Sequence, residues 1–157
     1  MNVPLYEKIW MWAAAGVIAA FVATVLITSL GGALAPPSHV ETIDPTQVFK
    51  DARFAHPGVT VDANGATVVA FGMMFGFTPG EIHVPAGKPV TFRMTSTDVT
   101  HGFLIVGTNA NTMLVPGYVS QFTTVFRAGE YLIVCNEYCG LGHHLMSAKL
   151  IVEEARP

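Results

Sequence analysis

From Ile9 to Leu30 the chain carries no charged side chain, and so long an uncharged, mostly apolar run leaves few ways to fold. In lipid every backbone N–H and C=O needs an internal partner, which a helix supplies within one segment. At 1.5 Å per residue these residues span roughly 33 Å, enough for a hydrocarbon layer of about 30 Å. Tyr6, Trp10 and Trp12 gather at one end, where amphipathic rings anchor at headgroup level. The competing reading is a cleaved export signal, because Ala33-Leu34-Ala35 resembles a small-residue cleavage site. The run is longer than the usual 7 to about 15 apolar residues of such signals and Pro36 follows directly, so the expectation is an uncleaved transmembrane anchor. Lys8 precedes the run, whereas the next basic residue beyond it is Lys50 and the nearer charges are Glu41 and Asp44. The positive-inside rule then puts the N-terminus in the cytoplasm and the rest of the chain on the periplasmic or outer side of the plasma membrane.

The remainder reads as one domain with a short approach. Gly31, Gly32, Pro36 and Pro37 mark a linker, and Asp44-Pro45 before Thr46-Gln47-Val48-Phe49 has the form of an N-cap and first-turn proline opening a short helix to about Ala52. Residues Ala55 to Ala66 read as a loop. From Thr67 onward the pattern is β: Thr67 to Phe71, Glu81 to Val84, Pro89 to Thr95, Phe103 to Val106, Val119 to Phe126, Glu130 to Val134 and Ala148 to Val152 are short, β-branched and aromatic-rich. Turn signals at Thr78-Pro79-Gly80, Pro85-Ala86-Gly87, Pro116-Gly117 and Ala128-Gly129 separate them. The sequence therefore predicts an all-β antiparallel sandwich or barrel over 67–157, a linker with a short helix over 36–66, and an anchor over 1–35. Only 12% of the 157 residues are charged and the net charge is −3. With no basic run, nucleic acid is not an expected partner.

The chemistry concentrates in Cys135-Asn136-Glu137-Tyr138-Cys139-Gly140-Leu141-Gly142-His143-His144-Leu145-Met146. Both cysteines of the chain lie here, together with an imidazole and a thioether that can converge on one point, and these are soft metal ligands. Gly140 and Gly142 allow a tight turn between the strands that flank the stretch. Three readings stand. A disulfide between Cys135 and Cys139 accounts for neither His143 nor Met146 and closes too short a loop to constrain the unfolded chain much. Structural zinc takes two Cys and two His, but Met146 is foreign to it. Copper cycling between two valences suits Cys, His and Met together. A further ligand is then needed from an earlier strand end. His101, in Ser96-Thr97-Asp98-Val99-Thr100-His101-Gly102-Phe103, is the candidate; a lone His there is ordinarily a core residue, and the metal loop in the same small domain turns the reading towards a ligand.

The pattern His101, then Cys135-x-Glu137-x-Cys139-x-x-x-His143-x-x-Met146, closely resembles the dinuclear CuA centre of subunit II of cytochrome c oxidases, and the likeness extends over essentially the whole chain, nearest the short single-helix ba-type. The resemblance implies a cupredoxin fold and two copper ions bridged by Cys135 and Cys139. His101 and His143 would take one copper each, with Met146 and the backbone carbonyl of Glu137 as weak ligands. It further implies a haem-containing subunit I as partner, which reduces dioxygen with proton pumping, a cytochrome c as electron donor, and membrane lipid around the anchor. In commoner relatives a glutamate at the position of Glu137 also reaches a magnesium ion at the border with subunit I; the alternative here is a solvated carboxylate.

Where many relatives carry a Trp-rich stretch for docking, this chain has Gly72-Met73-Met74-Phe75-Gly76-Phe77. Alternate residues of such a strand face inward, so the expectation is that some, Met73 and Phe75 among them, form an apolar docking patch. Setting aside Glu7 and Lys8, 10 acidic and 7 basic residues remain, too even a balance for strong electrostatic steering. Glu7, ahead of the apolar run, is either a headgroup-level carboxylate or a proton-gathering group on the cytoplasmic side. Two other functions share parts of the pattern: a CuA subunit of a nitric oxide reductase, and a membrane-tethered copper chaperone or storage domain.

Overall fold

The computed structural model describes residues 4–30 and 41–154. The cleavage-like Ala33-Leu34-Ala35 and the linker of 31–40 lie outside the described residues. Two compact units result, 1–39 and 40–157. The first is helix α1, Leu5–Leu30, 26 residues long and apolar enough to cross a membrane. Thr24 and Thr28 fold their hydroxyls back onto the carbonyls of Ala20 and Thr24, so these polar side chains are satisfied within the helix, as a lipid setting requires.

The second unit is a two-sheet sandwich. Strands β1 (Gly58–Val61), β2 (Ala66–Met73), β5 (Pro89–Ser96) and β8 (Ser120–Val125) run in that order, and β3 (Gly76–Thr78) folds back onto β2. The facing sheet is ordered β4 (Glu81–Pro85), β10 (Ser147–Glu153), β9 (Gly129–Val134), β6 (His101–Ile105) and β7 (Asn111–Leu114). Most pairs are antiparallel, as expected, but β2 with β5 and β4 with β10 are parallel, because each couples strands joined through the opposite sheet and not by a hairpin.

Strict alternation fills the space between the sheets. In β4, Ile82 and Val84 turn inward while Glu81 and His83 stay outside; in β10, Ala148, Leu150 and Val152 are the buried set. Phe92 lies at the centre, against the rings of Phe103, Phe122 and Phe126, and its truncation to Ala belongs to the class of core changes that cost about 3–5 kcal/mol. Cys135, Cys139 and Met146 belong to this same core. Strand β2 is apolar on both sides for a separate reason. Its outward Val69, Phe71 and Met73 meet Ile43, Val48 and Phe54 in a second cluster. The short 3-10 helix Pro45–Lys50, capped by Asp44 through Thr46 N–H at 2.9 Å, thus lies on the sheet, with Glu41 accepting from both Arg53 and Arg93.

The structure differs from the sequence reading in three short strands. β1 falls where a loop was expected, and β3 and β7 have four residues or fewer. Gly58-Val59-Thr60-Val61 sits between Pro57 and the Asp62-Ala63-Asn64-Gly65 turn, so punctuation residues mask its brief β-branched run. Only pairing with β2 makes it a strand.

One surface ion cluster ties the parallel β4–β10 pair. His83 bonds Glu153 through Nδ1 and Glu81 through Nε2, each at 2.8 Å. Glu153 first and Glu81 second raise the His83 pKa above 6.5. A raised folded pKa means that the contribution is complete below the unfolded value and is lost as pH rises through the folded one. The parent should therefore lose a small amount of stability above pH 6.5 that His83→Gln does not lose. Thermal unfolding midpoints of both proteins across that interval check this; parallel pH curves would refute it.

Candidate metal centre

The stretch from Cys135 to Met146 is a closed loop between β9 and β10. Cys135 N–H donates to Met146 O at 3.1 Å, which brings the two ends together just beyond the ladder that pairs Val134 with Ser147. Inside the loop Gly140 has φ of +128°, a conformation that costs glycine little and other residues much. The 3-10 turn His143–Leu145 then directs His143 back towards Cys139.

The two sulfurs lie 3.8 Å apart. A disulfide would require about 2.05 Å, so the cysteines are free and both are buried. Each has its own companions. Beside Cys135 Sγ are His101 Nδ1 at 4.0 Å and the Glu137 carbonyl oxygen at 3.1 Å. Beside Cys139 Sγ are His143 Nδ1 at 3.6 Å and Met146 Sδ at 3.7 Å. The donor atoms of His101, Cys135 and Cys139 all lie within 4.8 Å of one another. All six donors expected from the sequence are thus brought into one place, although His101 comes from β6 of the same sheet and not from the loop.

Burial, and then the neighbouring Cys135 thiol, push the Cys139 pKa up to about 11. Two adjacent buried thiols resist becoming two thiolates unless a cation offsets the charge. The set of two thiols, two imidazole nitrogens, a thioether and a carbonyl fits copper better than zinc, which has no use for the thioether.

His101 is fully buried and its ring is fixed from several sides. Asp98 Oδ1 takes Nε2 at 2.8 Å, which leaves Nδ1 to face the sulfur. Burial alone would raise the Asp98 pKa, but bonds from His101, Met74 N–H and Val99 N–H outweigh it and hold the carboxyl below its usual range. Such a partner on the far nitrogen fixes tautomer and orientation of a ligating imidazole. On the other side a Cβ at Gly72 would stand 2.9 Å from His101 Cδ2, so β2 can lie against the ring only as glycine. Gly102 is equally constrained, since a Cβ there would collide with Asn136 Oδ1 and Glu137 N.

Asp98, Gly72, Gly102 and Asn136 carried no role in the sequence reading. The Asp98-x-x-His101 spacing was a signal that could have revealed the first of them. The other three are visible only when β2, β6 and the loop are in contact.

Of the residues expected for docking, Phe75 is 40% exposed while its ring rests on the copper-loop glycines, where a Cβ on Gly142 would strike it. Met73 is partly buried in the second cluster, and Met74 is exposed in its place. Tyr138, Leu141 and Leu145 on the loop are also exposed. The Glu137 side chain is exposed, and Glu7 lies in the first turn of α1.

Residues 69–155 match the family of the cytochrome C oxidase subunit II periplasmic domain. A cytochrome c oxidase subunit 2 of Thermus thermophilus is 39% identical over 156 residues, covering 95% of this chain and 92% of that protein. Among solved structures, a chain from a heme-copper terminal oxidase dimer superposes with a TM-score of 0.60 at 30% identity, covering 94% of this chain and 99% of that one. Rusticyanin, at 20% identity and a TM-score of 0.52 over 74% of this chain and 98% of its own, shares the fold alone, which is cupredoxin-like. With the sandwich, the ligand loop and the apolar N-terminal helix all inside these matches, the chain belongs to the cytochrome c oxidase subunit II family, a component of heme-copper oxidoreductases.

Proposed function

We propose that this chain is the electron-accepting subunit of a terminal cytochrome c oxidase, holding a dinuclear CuA centre that is reduced by a cytochrome c and delivers electrons to a haem-containing subunit I. Oxygen reduction and proton pumping would belong to that partner. The observation that carries the reading is the paired arrangement of donors about the two sulfurs. Each thiol has one imidazole and one weak donor of its own, His101 and the Glu137 carbonyl for Cys135, His143 and Met146 for Cys139. A single tetrahedral metal would use two sulfurs and two nitrogens and leave both weak donors idle. Two metals held by these residues would use all six.

Two coppers so held would supply one-electron exchange. What the chain itself contributes is constancy of geometry between valences. The sulfurs and Met146 are packed within the apolar core, His101 is clamped by Asp98, and the loop ends are hydrogen-bonded together. Burial also keeps water from both sulfurs, Met146 and His101. The Glu137 carboxylate, exposed, is left for a magnesium ion shared with subunit I, in keeping with the oxygen ligands that cation prefers. Electrons would arrive through the apolar surface of Met74 and Phe75, with Met73 supporting it from the second cluster. With α1 in the lipid and its N-terminus cytoplasmic, residues 41–154 would stand on the periplasmic face. Glu7 would then lie on the side from which protons are drawn, and we assign it to proton gathering for the complex. Its position in the first helical turn also suits the helix dipole, which is the ordinary role against which the test is set.

The full chain in detergent is expected to bind two coppers with the unpaired spin shared equally over both nuclei. Cys135→Ser or Cys139→Ser should abolish that signal, and its survival in either variant would defeat the shared-thiolate reading. Met146→Leu should keep both coppers and shift the potential, since a weakly held thioether tunes more than it binds. Phe75→Ala should slow reduction by a cytochrome c by roughly five- to tenfold, the loss of about 1 kcal/mol of contact at the docking surface. In the assembled oxidase, Glu7→Gln should slow turnover while copper reduction proceeds at the parent rate. Turnover and proton uptake equal to the parent would leave Glu7 a surface carboxylate.

A further inference from the structure

The two oxygens of one carboxylate serve different parts of the molecule. Asp98 Oδ1 accepts from His101 Nε2 at 2.8 Å, and also from Val99 N–H, while Asp98 Oδ2 accepts from the backbone N–H of Met74 at 2.7 Å. Met74 opens the turn that follows β2, and the next residue, Phe75, lays its ring on Gly140 and Gly142. Those glycines fill the turn between Cys139 and His143. The contacts therefore make a closed circuit: from His101 to Asp98, through the Met74 amide to the Phe75 ring, and onto the loop that carries the other donors. A second tie runs alongside, with Thr97 N–H donating to Gly72 O at 3.1 Å, which holds the Asp98 turn against β2.

We propose that Asp98 is a positioning residue that braces the electron-accepting surface to the copper donors, fixing the His101 ring with one oxygen and the Met74–Phe75 segment with the other. This rests on the reading of Met74 and Phe75 as the surface where electrons arrive. Chemistry restricts the role to a carboxylate. Both partners are N–H donors once His101 presents Nδ1 to the metal, so two acceptors are needed side by side. Asparagine offers one acceptor and an NH2 that can bond neither N–H. The same brace explains why Phe75 sits tightly against the loop while partly exposed: its backbone is held from behind, so the ring need not be enclosed to be ordered. A protein docking on Phe75 would press on a segment already fixed relative to His101, and little rearrangement would accompany electron transfer.

The test uses the copper-loaded full chain in detergent, as parent, Asp98→Asn, Asp98→Ala, Phe75→Ala and the Asp98→Ala/Phe75→Ala double variant. Amide exchange at Met74, followed on the reduced protein, should quicken about tenfold or more in Asp98→Ala, as expected for a lost bond to a charged acceptor, with Ile133 in the core unchanged. The visible copper absorption and the reduction potential should shift in the same variant. Reduction by a cytochrome c should be no slower in the double variant than in Asp98→Ala alone, because both substitutions release the same segment. Asp98→Asn, which disturbs folding less, should lose at least one of the two effects, exchange protection or the parent spectrum. Met74 exchange within about twofold of the parent in Asp98→Ala, a parent spectrum in that variant, rate effects that multiply in the double variant, or parent behaviour of Asp98→Asn in both readouts would each overturn the brace. If Phe75→Ala alone is reduced at the parent rate, the docking reading falls, and the brace is then decided by exchange and spectrum.

Discussion

Two cysteine sulfurs held 3.8 Å apart inside an apolar core set the terms for the rest of this molecule. Burial and the neighbouring Cys135 thiol oppose ionisation of Cys139, whose pKa is pushed up to about 11. A cation reverses the sign of that interaction, and a site of this kind gains much of its free energy from the exchange of thiol protons for metal. The architecture around it has to keep donors fixed that would otherwise relax apart. One hydrogen-bonded sheet does so, because the loop that carries five of the six donors starts and ends on its neighbouring strands β9 and β10, while β6 of the same sheet supplies His101.

Close backbone approach is the means by which the sheets reach the site. Gly72 lets β2 lie against the His101 ring, Gly102 lets β6 pass under Asn136, and Gly142 accepts the Phe75 ring. In the sequence Gly72 and Gly102 stand out only as breaks in a strand pattern and Gly142 only as a turn residue. In the structure each marks a point where a neighbouring side chain, His101, Asn136 or Phe75, occupies the space that a Cβ would take. A neighbouring polar frame complements them: Asp98 turns the imidazole, and Asn136 bonds Asn111 at 3.2 Å across to β7. The outer cluster of Ile43, Val48, Phe54 and Phe71 gives β2 a second buried face, so the strand that contacts both His101 and Phe75 is packed from both sides and has little freedom to shift.

The sequence by itself determined the elements whose signal is local. An uncharged run long enough for a bilayer can satisfy its backbone only as a helix, and α1 covers it. Seven β-rich segments between turn residues became seven of the ten strands among the described residues, because alternation of apolar and polar residues already states which face is buried. The spacing from Cys135 to Met146 showed which groups of one loop can converge, since a short loop between strands has few ways to arrange two sulfurs, an imidazole and a thioether. Tertiary structure alone decided the rest. Whether Gly58–Val61 is a strand depended on β2 lying beside it, whether Met73 or Met74 faces outward depended on the cluster that captures Met73, and Asp98 acquired two partners only when β2 and the turn before β6 came together. Local chemistry can name a residue's capacity, but contacts between residues distant in the chain are paid for by burial that no single segment achieves alone, and those contacts determine which capacity is used.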